Sequence, residues 1–175
     1  MPSLDIPLHP KARFQRLVPA DSQQLSELHT QCFAGRAAWS PAEFSSLLAQ
    51  GSCIGFSLIE GGTLLAFALY QGVAPETELL TMCTDPNHRR QNLAKTLLQN
   101  AENELGLAGI ERIWLDVSES NTAARNLYES LGFVGISERK GYYATAGGSH
   151  TALVMAKDIA GQKGPEGPFS GHGPS

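Results

Sequence analysis

Apolar positions recur with two different periods along this chain, and the changes of period mark out its elements. Phe14 to Val18 reads as a short strand. Asp21 follows where an N-cap belongs, ahead of a helix carrying Leu25, Leu28 and Phe33. Ser40, Pro41 and Glu43 open a second short helix through Leu48, with proline at the favoured first position. Two apolar runs come next, Cys53 to Ile59 and Thr63 to Tyr70, split by Glu60, Gly61 and Gly62, which is a hairpin signal. A third run, Glu78 to Thr84, completes an antiparallel meander.

After Asp85-Pro86 the period becomes helical: Leu93, Leu97, Leu98, Ala101 and Leu105 share a face up to Gly106 and Gly109. Ile113, Leu115 and Val117 then alternate as a strand, so Trp114 and Asp116 point to its other face. Asn121 to Leu131 reads as a helix stopped by Gly132, Phe133 to Ile136 as extended chain, and Thr151 to Met155 as a closing strand. The order β-α-α-β-β-β-α-β-α-β-β predicts an α/β body with a strand, helix, strand crossover in its second half.

That body spans 12–159. Residues 1–11, with Pro2, Pro7 and Pro10, form a loose lead-in, and 160–175 a Gly/Pro-rich tail whose composition cannot build a core. At 175 residues and 42% apolar content, one self-folding domain is expected. Thirteen basic against seventeen acidic residues give a net charge of −4, which argues against wholesale coating of a nucleic acid. Three cysteines without paired spacing, Cys32, Cys53 and Cys83, support neither a disulfide framework nor a C-x-x-C metal site, and His29, His88 and His150 share no ligand spacing. No apolar run nears the roughly 18 residues of a membrane span, and the start lacks a signal-peptide core. A soluble cytoplasmic protein without metal, membrane or nucleic-acid partner is the expectation.

Candidate chemistry concentrates in ELLTMCTDPNHRRQNLAK, residues 78–95, where His88, Arg89, Arg90 and Lys95 gather at a helix start. Open N–H groups and the positive end of the helix dipole suit an anionic phosphate there; a solvated basic turn is the plain alternative. Asn121 and Tyr128 are seven apart, two helical turns, and share a face. Helix capping accounts for Asn121, and core packing for Tyr128, without further function. Cys83 has no identifiable histidine neighbour to activate it for covalent catalysis.

Arg89-Arg90-Gln91-Asn92-Leu93-Ala94 resembles the acetyl-CoA signature of the GNAT superfamily, Gln/Arg-x-x-Gly-x-Gly/Ala. With WLDVSESNTAARNLYESLGF from Trp114 to Phe133, and the Tyr142-Tyr143 pair, the chain from Glu76 to Lys157 resembles most closely the RimI-type protein N-terminal alanine acetyltransferases; Ala38-Trp39-Ser40 is a weaker echo. The resemblance implies a central mixed, mostly antiparallel sheet of six to seven strands flanked by about four helices. It implies acetyl-CoA as co-substrate, with Met82, Cys83 and Thr84 along the acetyl and pantetheine arm. The turn and helix start, Arg89, Arg90, Gln91, Asn92, Leu93, Ala94 and Lys95, would hold the pyrophosphate, with Asn121 nearby. Tyr128 matches the general acid to the leaving thiolate, and Asp116 aligns with the family's glutamate base; Glu76 or Glu78 could serve instead. Phe33 to Ser40 and Gly141 to Gly148 would flank the acceptor groove. The implied reaction is direct ternary-complex transfer to the N-terminal alanine of protein eighteen of the small ribosomal subunit. Another protein terminus, a lysine or a small amine remains an alternative acceptor, and a non-catalytic acyl-CoA-binding module an alternative of another class. Two departures bear on this: Asn92 where glycine is usual, and aspartate at 116 where glutamate is usual.

Overall fold

A computed structural model describes residues 11–33, 38–145 and 148–159, with only the backbone path over 142–145 and 148–150. The proposed tail and most of the lead-in lie outside the described residues. Within them the order is β1 (Arg13–Arg16), α1 (Ser22–Cys32), α2 (Pro41–Leu48), β2 (Cys53–Glu60), β3 (Thr63–Val73), β4 (Glu76–Thr84), α3 (Leu93–Leu107), β5 (Arg112–Ser118), α4 (Thr122–Ser130), β6 (Val134–Thr145) and β7 (Gly148–Asp158). Each expected element is present in the expected order.

The strands form one sheet in the order β1-β2-β3-β4-β5-β7-β6. Its neighbours are antiparallel except β4 and β5, which the crossover through α3 makes parallel. α3 and α4 cover one face, burying Leu97, Leu98, Ala101 and Leu131 against Ala66, Ala68, Leu115 and Val117. α1 and α2 cover the other, burying Leu25, Leu28 and Phe44 against Phe67 and Leu69. Each such fully buried side chain stabilises the fold by about 1.5–3 kcal/mol relative to exposure. Lys157 on β7 donates to Glu102 on α3 at 2.6 Å, tying helix to sheet.

Local chemistry explains most boundaries. Gly61 (φ 57°) and Gly62 (φ 83°) make the two-residue turn from β2 to β3, both in the left-handed region that a right-twisted hairpin demands. Ser40 caps α2 reciprocally with Glu43, its backbone N–H donating to Glu43 Oε2 at 2.7 Å. Asp21 holds the N-cap position of α1 as expected, but its side chain makes no cap bond there: it ends a 3-10 turn, Pro19–Asp21, and its Oδ2 accepts from Val18 N at 2.9 Å. Pro19 favours that tight turn and draws the carboxylate back to Val18. β6 and β7 extend well beyond the apolar runs Phe133 to Ile136 and Thr151 to Met155, because their polar halves pair with each other, as Arg139 with Ala152.

One irregularity in β4 shapes the molecule. Leu69 of β3 pairs with Thr81 and Tyr70 with Leu79, so Leu80 is an extra residue, a β-bulge. Because side chains alternate with period two, the insertion reverses the strand's facing. Leu79 and then Met82 pack toward α3, whereas Leu80 and then Cys83 pack toward α1. The ladder between β4 and β5 runs over Glu76↔Arg112, Thr77↔Ile113 and Glu78↔Trp114 only, and beyond it the two strands are not paired.

Candidate functional site

Where β4 leaves β5, a cleft of about 600 Å³ opens, a size usual for small-molecule sites. Its floor is the second half of β4, with Met82, Cys83 and Thr84; past Glu78 the backbone groups of this strand that point toward β5 have no ladder partner there. One wall is the turn into α3, with Arg89, Arg90, Asn92, Leu93, Ala94 and Lys95; the opposite wall is α4, with Asn121 at its head. Ten of the eleven expected cofactor-binding positions thus meet in a single space.

The turn is built to face an anion. Arg90 (φ 62°) and Asn92 (φ 56°, ψ 17°) both hold left-handed backbone, which is uncommon outside glycine and least costly for asparagine. The first bond of α3 closes from Thr96 N to Asn92 O at 2.9 Å, leaving the N–H groups of Leu93, Ala94 and Lys95 without a helical acceptor. These donors, the helix dipole and the Lys95 and Arg89 side chains converge at one end of the cleft. Asp85 braces the turn from behind, its Oδ1 accepting from Asn87 N at 2.9 Å and its Oδ2 lying 3.0 Å from His88 Nδ1. Burial works against ionising Asp85, but these hydrogen bonds and the His88 charge outweigh it and hold its pKa below the ordinary value.

Gln91 is the exception. Its side chain borders a separate cavity of about 250 Å³ with Phe14, Leu58 and Thr96, on the far side of the turn. Left-handed residues on either side of it rotate it away from the cleft.

On α4, Asn121 does cap the helix, its Oδ1 accepting from Ala124 N at 3.2 Å, and it also lines the cleft. Ala123, Ala124, Leu127 and Ser130 line it too, positions the sequence reading did not single out; two adjacent alanines on a helix flanking the signature were the available signal. Tyr128 sits one residue beyond Leu127, turned into the core, with its ring 5.7 Å from that of Phe133. It borders the cleft wall from within and is not among the side chains that line it.

Asp116 lies on the other face of the sheet. Arg139 of β6 donates to its Oδ2 at 3.2 Å, while its Oδ1 is buried with no hydrogen-bond partner. Glu78, near enough for their charges to interact, is pushed up in pKa by burial and then by the Asp116 charge, with Arg139 pulling the other way. Glu76 is exposed at the start of β4. A pair of carboxylates therefore flanks the mouth of the strand split, on the face opposite α3 and α4.

Above that face, His29 is buried under Phe33 and Trp39, with ring centroids 4.4 and 5.3 Å away. Its Nδ1 accepts from Trp39 N at 3.1 Å, so the Ala38-Trp39-Ser40 segment is pinned to α1. Burial lowers the His29 pKa, with Glu43 opposing, and so favours the neutral ring. Residues 34–37 and 146–147 of the proposed acceptor flanks lie outside the described residues; Tyr142 and Tyr143 fall in β6, where Tyr143 pairs with His150. Among the described residues no three His, Cys, Asp or Glu side chains gather as a metal site, and no helix is long and apolar enough to cross a membrane.

Comparison with known proteins agrees with this geometry. The model of the acetyltransferase (GNAT) family matches residues 22–133. The chain is 38% identical over 133 residues to the ribosomal protein bS18-alanine N-acetyltransferase of Escherichia coli strain K12, covering 75% of this chain and 88% of that protein. It is 33% identical over 146 residues to the N-alpha-acetyltransferase RimI of Mycobacterium tuberculosis, covering 81% and 89%. The crystal structure of the ribosomal-protein-S18-alanine N-acetyltransferase from Escherichia coli superposes with a TM-score of 0.79 at 33% identity, covering 90% of this chain and 99% of that one. The expected mixed sheet, with its four helices among the described residues, matches that fold.

Proposed function

Given that the chain belongs to the GNAT acetyltransferase family and is an acetyl-CoA-dependent N-acetyltransferase, we propose that its acceptor is the α-amino group of a protein N-terminus. An alanine-first terminus of ribosomal protein bS18 is the acceptor this reading favours. What carries it is the likeness to relatives named for that acceptor over three-quarters of the chain, together with the carboxylate pair on the acceptor side of the split. A cytoplasmic site of action fits a ribosomal acceptor.

In this reading the open N–H groups of Leu93, Ala94 and Lys95, with Arg89, Arg90 and Asn92, hold the pyrophosphate. The unpaired edge of β4 at Met82, Cys83 and Thr84 runs along the pantetheine, and Asn121 closes the far wall. Acetyl-CoA supplies a thioester whose carbonyl carbon is open to attack by an amine. Asp116 takes the proton from the incoming ammonium, aided by Glu78 beside it; an α-amine with a pKa near 8 needs only that modest help. Backbone N–H groups of the β4 edge face the developing oxyanion, and Tyr128, packed behind the cleft wall, turns its hydroxyl into the cleft to donate a proton to the departing thiolate. The second N–H proton, lost as the amide forms, restores the Tyr128 phenol, and Asp116 returns its own to solvent; the chain's own part in the reaction is thus to position the two reactants and move these protons.

Incubation of the protein with acetyl-CoA and peptides of differing first residue, read by mass spectrometry, tests this. One acetyl gained on free alanine termini, and none on an α-blocked control, is the expected result. Gain confined to lysine or small amines would overturn the acceptor, and binding of acetyl-CoA with no transfer to any amine would overturn the catalytic reading.

A further inference from the structure

Two of the three cysteines meet on the floor of the cleft, and nothing in the transfer chemistry uses them. Cys32 ends α1 and Cys83 lies near the end of β4; the bulge at Leu80 is what turns Cys83 toward α1. Both line the cleft, and their side chains lie near enough to interact. Cys32 is half-buried and open to the cleft, whereas Cys83 is buried behind it. The Cys32 Sγ also donates to Thr84 O at 3.3 Å, fixing the sulfur against β4. Arg89, from the turn into α3, lines the same cleft and places its charge near that sulfur. Cys53 lies buried at the start of β2 and does not line the cleft.

We propose that Cys32 and Cys83 form a peroxide-reactive dithiol, a modification site in the cleft wall that closes to a disulfide when the cleft is empty.

Cys32 is the attacking sulfur, because it opens to the cleft while Cys83 is buried behind it. The Cys83 contact first, and the Arg89 charge with it, lower its pKa against the opposing effect of burial, which favours the reactive thiolate. Cys83, its pKa raised by the same contact and by burial, stays a thiol and is the resolving partner. The Cys32 thiolate attacks one oxygen of hydrogen peroxide; the O–O bond breaks, and the leaving hydroxide takes up a proton as water. The Cys83 sulfur then attacks the Cys32 sulfenic acid; the S–O bond breaks, and the Cys83 proton leaves with the hydroxyl as a second water. Two thiols are oxidised by two electrons, and peroxide is reduced to two waters. A disulfide brings the two sulfurs to about 2 Å. It therefore draws the last turn of α1 toward β4.

The part of the proposal that concerns ligand protection rests on the acetyl-CoA reading, and the test separates the two. The reduced full-length protein is treated with hydrogen peroxide, with and without saturating acetyl-CoA, then alkylated, digested without reductant and mapped by mass spectrometry. The expected result is a Cys32–Cys83 cross-linked peptide lighter by two hydrogens, Cys53 still alkylated, and cross-linking slowed about tenfold or more by acetyl-CoA. Cys32→Ser should abolish the cross-link and leave Cys83 alkylated. Failure of the cross-link to form, or oxidation of Cys53 as fast as Cys32, would overturn the dithiol. A cross-link that forms equally fast with acetyl-CoA present would uphold the dithiol and overturn the placement of the cofactor.

Discussion

Arg139 reaches from β6 across β7 to donate to Asp116 Oδ2 at 3.2 Å, while the other oxygen of the same carboxylate is buried without a hydrogen-bond partner. A half-satisfied buried carboxylate is costly, so a structure that retains one favours a partner arriving from outside. The α-ammonium of an acceptor is such a partner. Asp116→Asn should therefore lower kcat on an alanine peptide by about 10²–10⁴-fold, the range for losing a general base, with acetyl-CoA affinity unchanged. Asp116→Glu, which restores the longer acid, should keep activity. An unaltered kcat for the asparagine variant would transfer the base role to Glu78.

Tyr128→Phe removes a hydroxyl and leaves the ring packed on Phe133. Stability should change by no more than about 1 kcal/mol. Steady-state kinetics should show kcat falling on the order of a hundredfold, with the KM for acetyl-CoA moving little. Unchanged kcat would remove Tyr128 from the mechanism.

Asn92 holds left-handed backbone at the head of α3, and its side chain makes no cap there. Asn92→Gly frees that backbone and lets a pyrophosphate approach closer, so calorimetric titration should show tighter acetyl-CoA binding. Asn92→Val, with a branched Cβ in the same conformation, should lose about 1–2 kcal/mol of stability and bind acetyl-CoA more weakly. Equal affinities for all three would mean that the pyrophosphate does not rest on this turn.

Glu78 carries a pKa raised by burial and by Asp116, so its neutral form is the one the fold prefers. A raised carboxyl contributes stability that is present below its ordinary pKa and is lost as pH rises through the raised one. Glu78→Gln copies the neutral form. Its melting temperature should exceed that of the parent at about pH 7 and converge with it near about pH 4. Parallel melting curves across that range would show that Glu78 is not strained by its neighbour.

The order of elements was legible because each amphipathic face is regular: Leu93, Leu97, Leu98, Ala101 and Leu105 could only be one side of a helix, and they are buried as a set. The basic turn at the head of α3 was legible because its charges and its helix start are adjacent in sequence. The bulge at Leu80 was not, since ELLTMCT reads as an unbroken strand and the extra residue shows only against β3. That Gln91 borders a second cavity was hidden for a related reason: contiguity in a motif says nothing of side-chain direction once neighbouring residues turn left-handed. The Arg139 contact to Asp116 and the meeting of Cys32 with Cys83 join residues 23 and 51 positions apart, a separation over which no sequence period extends.

The extra residue in β4 means that the site is inherited as a length as much as a set of side chains. Deleting Leu80 would bring β4 back into step with β3, swing Met82 and Cys83 to opposite faces and remove the offset that lets β4 part from β5. Every residue of the turn into α3 could survive such a deletion and still face no cleft. Descendants of this chain can exchange cleft-lining residues one at a time, but a single-codon deletion in this strand closes the cleft in one step.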